Sequence, residues 1–418
     1  MIIKKRDFLE VFLQLCLIGF IGQQSSLITR VISSNMRWVL LLILFLYILF
    51  YGKLLQALGA NLLITLLFYL SWCLLTTGWS EVPWLSFAKS SAMILTSITL
   101  ISSGSLWVKK FSWQNSLNWL IFLLVVTMLM GILGRAHESS FHKMSEFNSY
   151  QGLTSNTNYF GSLLAMIFPV LLWQIYKNFH QKKRWFVCIW ASLLVLTMAF
   201  LIQSYARSAM LMAVCIAFFF ILSIDLKKKI IVSSALILLG SVLLLKFSLS
   251  IEKVIYKNHA DSILASRINV WDKSYVQAML GGWFGGGFGV TIGESDFVFE
   301  NLGAMGYGRE KSNSQLGIIE ETGFVGFGLY LILLIVFFKK AFRFYFKLEG
   351  YERVMMGLVL GAMIGVLASS FFEAWWDAPA SPESIFFWML FGVSVGLMQT
   401  LNKNGKIMNG YINLETMS

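Results

Sequence analysis

Apolar runs about as long as a bilayer is thick recur along nearly the whole of this 418-residue chain. A helix rises 1.5 Å per residue, so roughly 20 consecutive apolar residues cross a hydrocarbon layer of about 30 Å. Windows of about 19 residues place spans near 8–22, 36–52, 54–77, 86–104, 115–134, 156–177, 185–204, 208–224, 229–248, 315–338, 354–372 and 384–401, about twelve in all. The first is short and interrupted by Glu10 and Gln14. Composition agrees: 57% of residues are hydrophobic and only 13% charged, where a soluble domain carries about a quarter charged. The sequence therefore predicts an all-α polytopic membrane protein and excludes a soluble globular domain.

A net charge of +12 invites a nucleic-acid reading until it is placed on the spans. With the N-terminus inside, Lys4, Lys5, Arg6, Lys109, Lys110, Lys182, Lys183, Arg184, Lys227, Lys228, Lys229, Lys339, Lys340, Lys403 and Lys406 all fall in inner segments. The short outer loops hold only Arg30, Arg37, Arg135, Lys143 and Arg207. Short cytoplasmic loops carry the excess of Lys and Arg, so both termini are expected in the cytoplasm, with membrane lipids as neighbours and no nucleic-acid partner. Cys16, Cys73, Cys188 and Cys215 all lie in apolar runs, where cysteine behaves as a small hydrophobe; their spacing gives neither a disulfide nor a metal site. Met1-Ile2-Ile3-Lys4-Lys5-Arg6 is like a signal n-region without a cleavage site, so the first run reads as a retained anchor.

One long stretch, Glu252 to Gly326, breaks the apolar pattern. It divides the chain into a bundle of about nine spans over 1–248, a long extracytoplasmic loop over 249–314, and three spans with a short cytoplasmic tail over 315–418. Any chemistry is to be sought there and in the outer turns beside it. Arg207 occupies the tight outer turn Gln203-Ser204-Tyr205-Ala206-Arg207; it either snorkels to headgroups or clamps an anion in its guanidinium fork. Arg267 belongs to Ser266-Arg267-Ile268-Asn269-Val270-Trp271, which has the look of an amphipathic helix with Trp271 at headgroup level; a second guanidinium facing Arg207 would hold a diphosphate. The glycine cluster Gly281-Gly282-Trp283-Phe284-Gly285-Gly286-Gly287-Phe288-Gly289 follows no strand and is no dinucleotide fingerprint. It is either a turn that returns the chain to the membrane or a set of amides bared to a phosphate or sugar. Lys89 lies one turn into its span, Ser312 and Asn313 precede a helix start, and Glu320, Glu321, Glu373 and Asp377 lie near outer span ends. Such acids either balance the arginines or accept protons.

The order of these features resembles the O-antigen ligase and polymerase superfamily of bacterial membrane proteins. The resemblance rests on Trp79-Ser80 before Lys89, Gly152-Leu153-Thr154-Ser155-Asn156-Thr157-Asn158 leading into a span, Arg207-Ser208-Ala209, Arg267 with Trp271, Gly287-Phe288-Gly289, and Ser312-Asn313-Ser314 running to Glu321-Thr322-Gly323. It implies a twelve-helix fold in the plasma membrane with a long periplasmic loop. It also implies transfer of a glycan from undecaprenyl diphosphate to a sugar hydroxyl, without nucleotide sugar, metal or other cofactor. Arg207 and Arg267 would hold the diphosphate, with Ser312 and Asn313 at the catalytic position. Lys89, Asn158, Trp271, Gly287, Gly289 and Glu321 would contact substrate. A flippase and a chain-length regulator are the expected pathway partners. The ligases commonly show His-Asn where this chain has Ser312-Asn313, and a serine hydroxyl is no general base unaided. Another group, Glu294, Asp296, Glu310, Glu320 or His259, would then take the proton, or the chain is a polymerase and not a ligase. A transporter of an anionic solute would instead need internal acids and broken helices.

Overall fold

The computed structural model describes residues 5–22, 35–51, 54–56, 58–137, 141–143, 148–224, 265–292 and 311–415. The span expected at 229–248, and Glu294, Asp296, Glu310 and His259, lie outside them. The helices are α1 (Lys5–Gly22), α2 (Met36–Tyr51), α3 (Ala60–Leu75), α4 (Pro83–Phe111), α5 (Trp119–Gly134), α6 (Thr157–Met166), α7 (Phe168–His180), α8 (Arg184–Ser204), α9 (Arg207–Ser223), α10 (Ala265–Gly281), α11 (Ser314–Tyr345), α12 (Gly350–Ser369) and α13 (Pro382–Glu415). Among the described residues eight helical segments are long and apolar enough to cross a membrane, and two shorter apolar helices, Met36–Phe50 and Arg207–Ser223, fall where spans were expected. α1 carries Lys5, Arg6, Asp7 and Glu10 in its first two turns, which is why its apolar run reads short. The molecule is thus a polytopic helical membrane protein.

It is not wholly helical. Phe141–Lys143 and Asn148–Tyr150 pair as an antiparallel hairpin of strands β1 and β2. Tyr150 donates its hydroxyl to the carbonyl of Gly131, and the Arg135 guanidinium lies 4.5 Å from the Tyr150 ring centre. This arginine, expected in an outer loop, is therefore committed to packing.

Apolar attraction between helices is weak in lipid, so close approach depends on small side chains. α12 places Gly357, Gly361 and Gly365 on one line, against Ser223, Phe219 and Met212 of α9. A Cβ on Gly361 would lie 2.8 Å from the Phe219 Cβ, and one on Gly365 2.9 Å from the Met212 carbonyl. The two helices run in opposite directions along this seam. It therefore brings the start of α9, where Arg207 sits, to the end of α12. A second seam joins α4 to α13: a Cβ on Gly392 would lie 2.2 Å from the Ile101 carbonyl, and one on Gly104 2.4 Å from that of Met389. At the opposite end of the bundle from Arg207, Lys339, Lys340 and Arg343 line a cavity of about 600 Å³ with the first turn of α3.

A Gly361→Leu change forces α9 away from α12, and overpacking of this kind costs about 1–3 kcal/mol. A clear fall in the unfolding temperature in detergent, followed by tryptophan fluorescence, is expected. Val214→Leu, on the exposed side of α9, is expected to leave it unchanged.

Candidate functional site

The site is built where α11 is broken. Gly323 has φ 70° and ψ −178° inside an otherwise helical segment, which interrupts the backbone ladder. In lipid every freed N–H and C=O needs a partner from the protein. Here the glycine cluster supplies them. The carbonyls of Glu320 and Glu321 accept from the amides of Gly286 and Gly287, while the amides of Phe324 and Val325 donate to the carbonyls of Gly282 and Trp283. The carbonyl of Thr322 accepts from the Trp72 indole at 2.8 Å. The broken helical ladder is thus completed by a loop spliced into the helix.

Splicing two backbones together explains the glycines. A Cβ on Gly323 would stand 2.2 Å from the Trp283 carbonyl, and one on Gly285 2.3 Å from that of Glu321. The amides of Gly287 and Gly289, two residues expected to meet substrate, both have partners within the protein. The Gly287 amide is taken by the Glu321 carbonyl and the Gly289 amide by the Glu321 carboxylate at 2.7 Å. The Gly289 backbone also abuts the alkyl chain of Lys89.

Beside the splice lies a knot of buried charge. Lys311 is 1% exposed; its ammonium pairs with Glu321 and stands 3.7 Å from Glu320 and 3.9 Å from Asp377. Burial alone would lower the Lys311 pKa, but Glu321, Glu320 and Asp377 outweigh it and raise the pKa above the ordinary lysine value. Lys89 lies within electrostatic range of Glu321, Asp377, Lys311 and Arg37. Glu320 and Glu321 are fully buried, so Glu320 has no open path to an acceptor sugar.

The second half of the site begins one residue further on. Ser312 has φ 53°, a left-handed conformation that a non-glycine residue adopts at a cost of about 1–3 kcal/mol. The chain follows Lys311 into the knot and Ser312 out of it. Arg267 on α10 donates to the Ser312 hydroxyl at 3.0 Å through Nη1 and to the Glu373 carboxylate at 2.8 Å through Nη2. Asn158 on α6 donates to the same Glu373 oxygen at 3.0 Å. Arg207 lies in electrostatic range of Arg267, and the two positive charges repel. Trp271 packs on Phe372, beside Glu373, with ring centres 5.7 Å apart. Asn313 caps α11, accepting from the amides of Gln315 and Leu316.

Of the residues singled out in the sequence, Arg207, Arg267, Ser312, Asn158 and Trp271 therefore converge. Lys89, Gly287, Gly289 and Glu321 form the adjoining buried layer. Glu373 joins the site although the resemblance assigns it no role there, and Lys311 reads in the sequence only as part of a polar loop. A signal for Glu373 is present: it continues the four-residue spacing of Gly357, Gly361, Gly365 and Ser369, the face that meets α9. Ser314 fixes it, donating to the Glu373 carbonyl at 3.1 Å and accepting from the amides of Trp375 and Trp376.

Two half-buried guanidinium groups within electrostatic range of each other are suited to a multiply charged anion. Residues 192–331, which include Arg207, Arg267, Ser312 and the spliced loop, match the family model described as O-antigen ligase. The match supports membership of the O-antigen ligase superfamily, which implies an enzyme that processes glycans. No individually curated protein matches it.

Removing the Lys311 charge leaves the surrounding carboxylates uncompensated, and breaking a buried pair on one side costs roughly 3–5 kcal/mol. Lys311→Met is accordingly expected to lose most folded protein on extraction, measured as monodisperse yield and unfolding temperature. Wild-type stability in this variant would show that the knot does not hold the loop.

Proposed function

We propose that the chain polymerises oligosaccharide repeats carried on undecaprenyl diphosphate, at the outer face of a bacterial plasma membrane. The observation that carries this reading is that Arg267, fixed by Ser312 and Glu373, lies within electrostatic range of Arg207. A diphosphate relieves the repulsion between them, and guanidinium groups bind phosphate oxygens in bidentate forks. In the reaction, the sugar hydroxyl of one lipid-linked repeat attacks the anomeric carbon of the glycan on a second lipid. The bond from that carbon to the diphosphate breaks, and its electron pair leaves on the diphosphate. Negative charge grows there in the transition state, where fixed cations stabilise it most.

Polymerase is preferred to ligase because Ser312-Asn313 stands at the His-Asn position of the ligases. The Asn313 side chain is occupied as a helix cap, and the Ser312 hydroxyl accepts a hydrogen bond from a guanidinium, so neither offers a base. The ligase reading is favoured by the description of the matched family. The break in α11 bares no backbone carbonyls to an ion, since those of Glu320, Glu321 and Thr322 already have partners, and this weighs against a transporter. A flippase and a chain-length regulator are the partners that fit a polymerase.

Purified protein in liposomes with lipid-linked repeats is expected to release undecaprenyl diphosphate and leave a ladder of glycan lengths. Arg207→Ala and Arg267→Ala should each slow that release by about 100- to 1000-fold, and Arg267→Lys, which keeps the charge without the fork, should recover it in part. Full turnover in either alanine variant contradicts the diphosphate clamp, and a single transfer without a ladder favours the ligase.

A further inference from the structure

We propose that Glu373 is the proton acceptor of the reaction and that its carboxylate and the substrate phosphate compete for Arg267. The inference rests on the lipid-diphosphate reading above. Arg267 bridges two groups, Ser312 at 3.0 Å and Glu373 at 2.8 Å. The carboxylate thus stands one guanidinium away from the position where the ligases carry histidine. It is 24% exposed, whereas Glu320 and Glu321 are sealed in the bundle. Asn158 holds it from α6 and Ser314 fixes its backbone from α11, so three helices aim it at the cleft.

Glu373 offsets the charge of Arg267, which lies within electrostatic range of Arg207. A diphosphate carries more charge than a carboxylate and fits both guanidinium groups, so it displaces Glu373 from Arg267. The carboxylate then loses its cationic partner and becomes more basic, still tethered by Asn158. As the acceptor oxygen bonds to the anomeric carbon, its proton passes to Glu373 and the diphosphate departs with the electron pair of the broken bond. The proton returns to water when the diphosphate leaves and the ion pair re-forms. Substrate binding thus switches on the base that the next step uses.

Among the described residues, Arg267 of α10 pairs with Glu373 at 2.8 Å, and Arg207 of α9 lies in range of Arg267. An acid limb in the pH profile of turnover that moves on substitution at position 373 belongs to the carboxylate. Two readouts are taken on wild type, Glu373→Gln and Glu373→His: binding of undecaprenyl diphosphate alone by native mass spectrometry, and its release from lipid-linked repeats extracted from the host membrane. Glu373→Gln is expected to bind the diphosphate as tightly as wild type or more tightly, with release slowed by about 100- to 10,000-fold. Glu373→His is expected to regain part of the rate, with the acid limb moved up by about two pH units, as imidazole titrates above carboxylate. Binding and release falling together in Glu373→Gln, or an acid limb unmoved in Glu373→His, would overturn the proposal and leave Glu373 a positioning residue. A wild-type protein that binds no undecaprenyl diphosphate would overturn the lipid-diphosphate reading itself.

Discussion

The ammonium of Lys311, enclosed by Glu320, Glu321 and Asp377, joins the two halves of the site. It draws the chain before α11 into the bundle, and the left-handed turn at Ser312 sends the next side chain back towards Arg267. Glu321 takes part in the splice as well, receiving the Gly289 amide on its carboxylate and the Gly287 amide on its carbonyl. One buried ion cluster therefore connects the broken helix, the glycine loop and the cleft. The energetic logic is that of a low-dielectric interior, where a complete set of partners is tolerated and a missing one is costly.

The arginines reach the cleft by a different constraint. Backbones can approach closely only where side chains are absent, and the line of glycines on α12 fixes α9 against it. Arg207 opens α9, while Glu373 follows α12 in the direction of that line. Helix packing along the bundle thus becomes charge placement at its end. The Arg207 turn itself is short because Tyr205 takes φ 53° and Ala206 packs against Gly161.

Much of this is legible in the sequence. Span-length apolar runs define the class of fold, because the bilayer leaves so few alternatives. Arg207 and Arg267 stand out because cations are scarce among the expected outer turns. The role of the glycine cluster is hidden: an exchange of backbone hydrogen bonds has no side-chain signature, and the amides that look free for a phosphate are used by α11. Lys311 looks like a loop residue since its acids lie 9, 10 and 66 positions away. Glu373 is one acid among several near span ends, and only its ion pair with α10 shows which arginine it meets. The three-residue strands at 141–143 and 148–150 are too short for alternation to register.

The central claim is that the packed helices gather Arg207 and Arg267 into a diphosphate site beside Glu373. A cryo-electron microscopy structure of the protein with undecaprenyl diphosphate tests it most directly. The account predicts diphosphate density bridging the two guanidinium groups, with Glu373 released from Arg267 and still at Asn158. Density at the opposite end of the bundle, by Lys339, Lys340 and Arg343, with the Arg267–Glu373 pair intact, would contradict it.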